Sequence, residues 1–214
     1  MIRAIRQDLR RCGNSSFRRV REVVFNPAMW ALFGYRVRRW VFEGFPRPVR
    51  WLFAPFTIPL GVGLELFTHV QLSVSAKIGP GLYLPHLGCI VVGPGSEIGH
   101  NCTIAHGVTI GHAGGRTRAA HAGKPVIGDR VYIGPGAIVI GPVHIGDDAL
   151  IGAGAVVVKS VPPRGVVAGN AARLLGLSGS FDLIEYPGMD TDPARAAAKA
   201  MAPATRSREG GGSD

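Results

Sequence analysis

Residues 132–163 read YIGPGAIVIGPVHIGDDALIGAGAVVVKSVPP. From Ile133 an aliphatic residue returns at every sixth position, at Val139, Ile145, Ile151 and Val157. An amphipathic helix would repeat at about 3.6 residues and a meander of hairpins would alternate strictly, so neither describes this stretch. Six-residue spacing, with one inward aliphatic side chain per short strand, is the signature of a parallel β-helix whose coils each close through three flats. Gly follows the aliphatic residue at Ile133, Ile145 and Ile151. A position that repeatedly needs unusual backbone angles is best supplied as Gly.

The period extends upstream. It runs through Leu72, Ile78, Leu84 and Ile90, slips by two residues, and resumes at Val92, Ile98, Ile104 and Ile110. Ile127 then leads into the series from Ile133. The step from Ile110 to Ile127 is 17 residues, not a multiple of six, and crosses the polar segment His112 to Lys124. We read residues 112–126 as a loop extruded from the solenoid. Loops on a rigid scaffold often carry chemistry, and this one holds His112, Arg116, Arg118, His121 and Lys124. The organisation read from the sequence is therefore a small helical, basic region at 1–68, a β-helix at 69–176, and a tail at 177–214. The first region reads as short helices broken at Pro27, Pro46, Pro48, Pro55 and Pro59. The tail, rich in Ala, Gly, Ser and Pro and ending GGGSD, reads as disordered.

Composition narrows the function. The chain has 214 residues and can fill a sizeable core without staples. Cys12, Cys89 and Cys102 are an odd number with no C-x-x-C pair, which argues against a disulfide framework or a cysteine zinc site; Cys89 and Cys102 read as small buried hydrophobes. A reducing, cytoplasmic setting is expected. The net charge of +10 is concentrated: residues 1–51 hold twelve Arg against Asp8, Glu22 and Glu43, a local balance of +9. No helix-turn-helix, zinc-finger or RNP pattern accompanies these arginines, so a solvated helical face is the plain reading and nucleic acid is not an expected partner. Met1 to Arg11 lacks the apolar core of a secretory signal. The uncharged run Trp51–Leu64 is 14 residues long and contains Pro55, Pro59 and Gly61, too short and too interrupted to read as a span. Trp30, Trp40 and Trp51 alternate with Arg36, Arg38, Arg39 and Arg50, a pattern compatible with peripheral contact at the inner face of a membrane.

The runs LYLPHLGCIVVG and VTIGHAGGRTRAAHAGKPVIGD, the coils quoted above and the closing AGNAARLLG resemble the serine O-acetyltransferases and related hexapeptide acyltransferases, over about residues 70–176. The resemblance implies a left-handed parallel β-helix assembled as homotrimers or paired trimers, with acetyl-CoA lying in a groove between neighbouring β-helices and no metal. It also implies a role for His86, which stands at the place of the catalytic histidine. An alcohol must lose its proton as it attacks a thioester carbonyl, and imidazole, with an unperturbed pKa near 6.5, accepts that proton at neutral pH. His121 is the nearest match to a second family histidine and, with backbone N–H groups, is a candidate for stabilising the oxyanion. His106 and His112 flank Thr109–Gly111 and are further candidates. For the donor, the resemblance assigns Gly111, Pro135, Ala153, Lys159 and Arg173, the last two supplying cations for phosphates.

Three positions depart from the family pattern. Gln71 occupies the place of the aspartate that orients the imidazole, and an amide stabilises imidazolium less than a carboxylate does. Pro85 and Ala120 replace the acidic residue and the arginine that resemble contacts for serine. The chain ends at Asp214 where serine acetyltransferases that dock onto the sulfhydrylase end in isoleucine, so a cysteine synthase complex is not expected. These departures favour a sugar or another small alcohol over L-serine as acceptor. The competing readings are N-acetylation of an amino sugar, a catalytically silent binding or scaffold solenoid, and a metal-dependent hydrase using His106, His112 and His121.

Overall fold

The computed structural model of the chain describes residues 1–13, 15–112 and 123–202. Four helices come first: α1 (Ile2–Arg11), α2 (Ser16–Phe25), α3 (Pro27–Gly44) and α4 (Arg47–Thr68). The strands that follow wind as a parallel β-helix with three flats. One flat stacks β1 (Val70–Leu72), β3 (Ile90–Val92), β6 (Thr109–Gly111), β9 (Ile138–Ile140) and β12 (Val156–Val157). The second stacks β2 (Lys77–Ile78), β4 (Glu97–Ile98), β7 (Val126–Ile127) and β10 (His144–Ile145). The third stacks β5 (Thr103–Ile104), β8 (Tyr132–Ile133), β11 (Leu150–Ile151) and β13 (Val166–Ala168), closed by the antiparallel β14 (Arg173–Gly176).

The six-residue series becomes the core. Val92 pairs in register with Ile110, Ile110 with Val139, and Val139 with Val157. Ile98, Ile127 and Ile145 form a second ladder, and Ile104, Ile133, Ile151 and Val167 a third. All are buried, because each strand directs alternate side chains into the coil. Ile110 and its partner Val139 are 29 residues apart, one coil of 18 plus an insertion of eleven. Of the loop read over 112–126, residues 113–122 lie outside the described residues, and Val126 already belongs to β7.

The helical region departs from expectation in two respects. First, α4 runs unbroken through Pro55 and Pro59, and Pro48 sits in its first turn, where a missing N–H costs nothing. Pro55 and Pro59 are four residues apart on one exposed face, so the hydrogen bonds they remove are lost on the side of the helix away from the body. The result, 22 residues long, is among the described residues the one helix long and apolar enough to cross a membrane. Second, several arginines do not decorate a solvated face. Arg36 forms a bidentate pair with Asp8 (2.9 and 3.1 Å) and donates to the carbonyls of Ile78 (2.6 Å) and Gly79 (2.7 Å), while Asp8 also accepts from the N–H groups of Gly81 (2.7 Å) and Leu82 (3.0 Å). Arg11 donates to the carbonyls of Gly81 and Asn101 and to Thr103 Oγ1. These buried groups, with Tyr35 Oη donating to Ala76 O (2.7 Å), fasten the helices to the first coils.

The tail expectation is also corrected for its described part. After β14 the chain forms a short 3-10 helix, Met189–Thr191, and α5 (Pro193–Ala200), which Asp192 caps by accepting from Ala194 and Arg195 N–H groups. Phe181, Ile184, Tyr186 and Arg195 are buried. Ser180 Oγ donates to Arg130 O (2.7 Å), and Arg130 pairs with Asp148 (2.8 and 3.0 Å). A few large apolar groups separated by small residues suffice to seat this segment, although its average composition resembles that of disordered chains.

Candidate active site

One edge of the first flat collects most of the chemistry. Before β3 the chain turns through Pro85–Cys89, with Gly88 at φ 121° and Cys89 at φ 44°. One coil on, the turn before β6 carries His106, and the Gly107 N–H donates to Gly88 O (3.0 Å). The next turn holds Gly134-Pro135-Gly136, where Gly136 N–H donates to His106 O (2.9 Å), and the next holds Gly152-Ala153-Gly154, where Gly154 N–H donates to Pro135 O (2.8 Å). These bonds stack Gly88, His106, Pro135 and Ala153 along a single edge, three coil steps or about 14 Å long, with His86 two residues before Gly88 in the same turn. His86 and His106 are both exposed, and their rings meet edge to face at 5.7 Å and 76°.

Below the histidines the edge is bare. Gly136 (φ 68°) and Gly154 (φ 65°) turn through the left-handed region, and a Cβ on either would project into open space. These two bare positions, flanked only by the small Pro135 and Ala153, leave room for a thin ligand to lie along the backbone towards Arg173, which is exposed at the start of β14. Two other donor candidates sit elsewhere. Gly111 ends β6, four residues or about 13 Å from Gly107 across the flat. Lys159 is exposed just past β12, on that same far edge.

Gln71 is likewise not brought to His86. It lies mid-strand in β1, exposed, beside a hollow of about 640 Å³ that Thr109, Gly111, His112 and Arg38 also line. Among the described residues no hydrogen bond joins Gln71 to an imidazole. His112 shares that hollow, so it is separated from the His86–His106 edge. His121, Arg116, Arg118 and Ala120 lie outside the described residues. No group of three or more metal-ligating side chains is present among the described residues. Cys102 is buried, but Cys89 is exposed, because its left-handed turn at the corner faces it outward.

His86 lines a hollow of about 330 Å³ whose opposite wall comes from the helical region: Arg21, Glu22, Phe25, Asn26 and Pro27. Asn26 explains the approach, since its side-chain amide donates to Leu84 O (2.8 Å) and holds the α2–α3 junction over the turn. Arg21 and Glu22 form an ion pair of 3.6 Å at this wall. Sequence reasoning missed both. They lie more than sixty residues from His86 with no motif of their own, and only the unexplained charge of the first 51 residues hinted at such a contribution.

Comparison with known proteins places the fold in a family. The family described as bacterial transferase hexapeptide (six repeats) matches residues 124–159. Over 190 residues, 85% of this chain and 79% of the relative, the sequence is 37% identical to serine acetyltransferase of Mycobacterium tuberculosis. Over 107 residues it is 47% identical to mitochondrial serine acetyltransferase 3 of Arabidopsis thaliana, of which it covers 27%. Among solved structures, soybean serine acetyltransferase complexed with serine superposes with a TM-score of 0.69 at 31% identity, covering 81% of this chain and 68% of that one. Serine acetyltransferase of Brucella abortus in complex with Coenzyme A gives 0.68 at 28%, covering 82% and 67%. With a relative this similar along most of both chains, and the same coil and helical layout, the chain belongs to the serine acetyltransferase family, acyltransferase enzymes built on a left-handed parallel β-helix.

Proposed function

We propose that this enzyme transfers the acetyl group of acetyl-CoA to the hydroxyl of L-serine, with His86 as general base. The observation that carries the reading is the shared edge: an exposed imidazole at one end of a side-chain-poor strip and beside a hollow with charges of both signs. Acetyl-CoA supplies the activated acyl group as a thioester. His86 takes the hydroxyl proton as the alcohol oxygen forms its bond to the acyl carbon; the carbon–sulfur bond breaks, and the proton passes to the departing thiolate. Arg21 faces the acceptor's carboxylate and Glu22 its ammonium group, a role that Pro85 cannot fill. Pro135 and Ala153 line the donor's path from the histidines, and Arg173 meets its phosphates. Gly111 and Lys159, across the flat, fit contacts made to the donor held by a neighbouring subunit of a homotrimer. The half-buried, outward Val91, Ile138 and Val156 on that flat support such packing. Gln71 would then act on a neighbouring site or not at all.

A second acceptor reading, a sugar or other small alcohol, draws on Pro85, which presents no charge to the hollow. The experiment is thiol release from acetyl-CoA against L-serine, other amino acids, sugars and nucleotide sugars, with His86→Ala alongside. Turnover with serine, lowered 10²- to 10⁴-fold in the variant as for a lost general base, is the expected result. Turnover with sugars alone would replace the acceptor, and silence with every acceptor would favour a binding solenoid.

A further inference from the structure

The helical region presents a surface that neither the core nor the active site uses. On α4, Trp51 is 79% exposed, Phe56 74% and Leu66 72%, with Leu52, Ile58 and Phe67 also outward. Beside it the four helices enclose an apolar groove of about 450 Å³ whose lining includes Ile5, Leu9, Val23, Trp30, Phe33 and Leu64. Soluble monomers rarely leave so large a contiguous apolar surface without a partner. Its rim is basic. Arg3, Arg6, Arg10 and Arg47 are exposed and make no hydrogen bond or ion pair among the described residues.

We propose that this face docks onto an anionic lipid bilayer, with α4 lying in the interface plane. Two observations select that occupant. A second copy would set these four unpaired arginines against their own counterparts, whereas an anionic surface complements them. The aromatic residues also lie where a bilayer interface favours them: Trp30 stacks on Phe67 at one end of the α3–α4 hairpin (6.0 Å), and Trp40, Phe45 and Phe53 cluster at the other. Although α4 is long enough to span, its attachments hold it on the surface. Gly61 and Thr68 are buried, Arg38 pairs with Glu65 (2.9 Å), and His69 passes straight into β1, so insertion would drag the first coil into hydrocarbon. The orphaned carbonyls opposite Pro55 and Pro59 find hydrogen-bond donors among headgroups and water. The proposal does not depend on which acceptor the active site takes.

The test uses the full chain with vesicles of phosphatidylcholine alone or with one-third phosphatidylglycerol, read by co-sedimentation and by tryptophan fluorescence. Binding to the anionic vesicles with a blue-shifted emission, weakening steeply with salt, is expected. Phe56→Ser with Leu66→Ser should cut partitioning at least tenfold, and each Gln in place of Arg3, Arg6, Arg10 or Arg47 about fivefold. Acetyl transfer to a soluble acceptor should be unchanged in all of them. Equal binding to neutral vesicles, or none to either composition, would overturn the proposal, and both arms use the unmodified protein. Loss of self-association in sedimentation equilibrium on introducing Phe56→Ser and Leu66→Ser, without vesicle binding by the parent, would instead assign the face to copies of this chain.

Discussion

Replacing Asp8 by Ala tests whether the basic N-terminal region is part of the folded body. The Asp8 carboxylate receives four hydrogen bonds between 2.7 and 3.1 Å, two from Arg36 and two from the Gly81 and Leu82 N–H groups. Both side chains of the pair are nearly inaccessible, at 7% and 4% exposure. Removing one partner of a buried pair leaves an uncompensated charge and costs about 3–5 kcal/mol. The two orphaned N–H groups add about 1–3 kcal/mol each where water cannot reach them. The guanidinium keeps its bonds to Ile78 and Gly79 carbonyls, which holds the total near the low end, about 5 kcal/mol. At about 2–4 °C per kcal/mol for a chain of this size, Tm falls by about 10–20 °C. The assay is thermal unfolding by circular dichroism at one fixed protein concentration, since assembly would couple to stability. Asp8→Ala with Arg36→Ala should recover at least about 2 kcal/mol relative to additivity, because the orphaned charge is gone. A loss below about 1 kcal/mol, the range of exposed ion pairs, would refute the reasoning.

Further outcomes follow from other parts of the molecule. His106→Ala should lower kcat about tenfold and displace its pH profile, because His106 borders the His86 ring; an unchanged profile would make it a bystander. Ile184→Ala should cost about 2–4 kcal/mol in urea unfolding, since the side chain is fully buried, whereas a disordered tail would register nothing. In a thiol titration at pH 8 with an aromatic disulfide, Cys89 should react fast and alone. Burial pushes the Cys12 thiol up to about 11 and Cys102 up to about 12, so both stay protonated in the folded state until the pH nears those values. All three should react in guanidinium, and two fast thiols in the native protein would contradict the burial.

The six-residue series in the sequence determined the fold of residues 69–176, because in a solenoid each coil meets only its neighbours and the inward position is set by local spacing. Ile104, Ile133 and Ile151 are legible as one ladder from their numbers alone. His86, Pro135 and Ala153 were singled out by resemblance to family motifs, and the structure sets the turns that carry them along one edge. The rest rests on separations that no period encodes. Arg36 reads as one more surface arginine until Asp8 and the Ile78 carbonyl surround it, and Phe181 and Ile184 vanish in a tail of low-complexity composition until they are seated. Arg21 and Glu22 enter the hollow of His86 only because Asn26 ties the α2–α3 junction to Leu84. Local spacing dictates which way a side chain points along a repeating coil; which distant helix covers the coil depends on buried polar pairs and shape, and only the tertiary structure decides those.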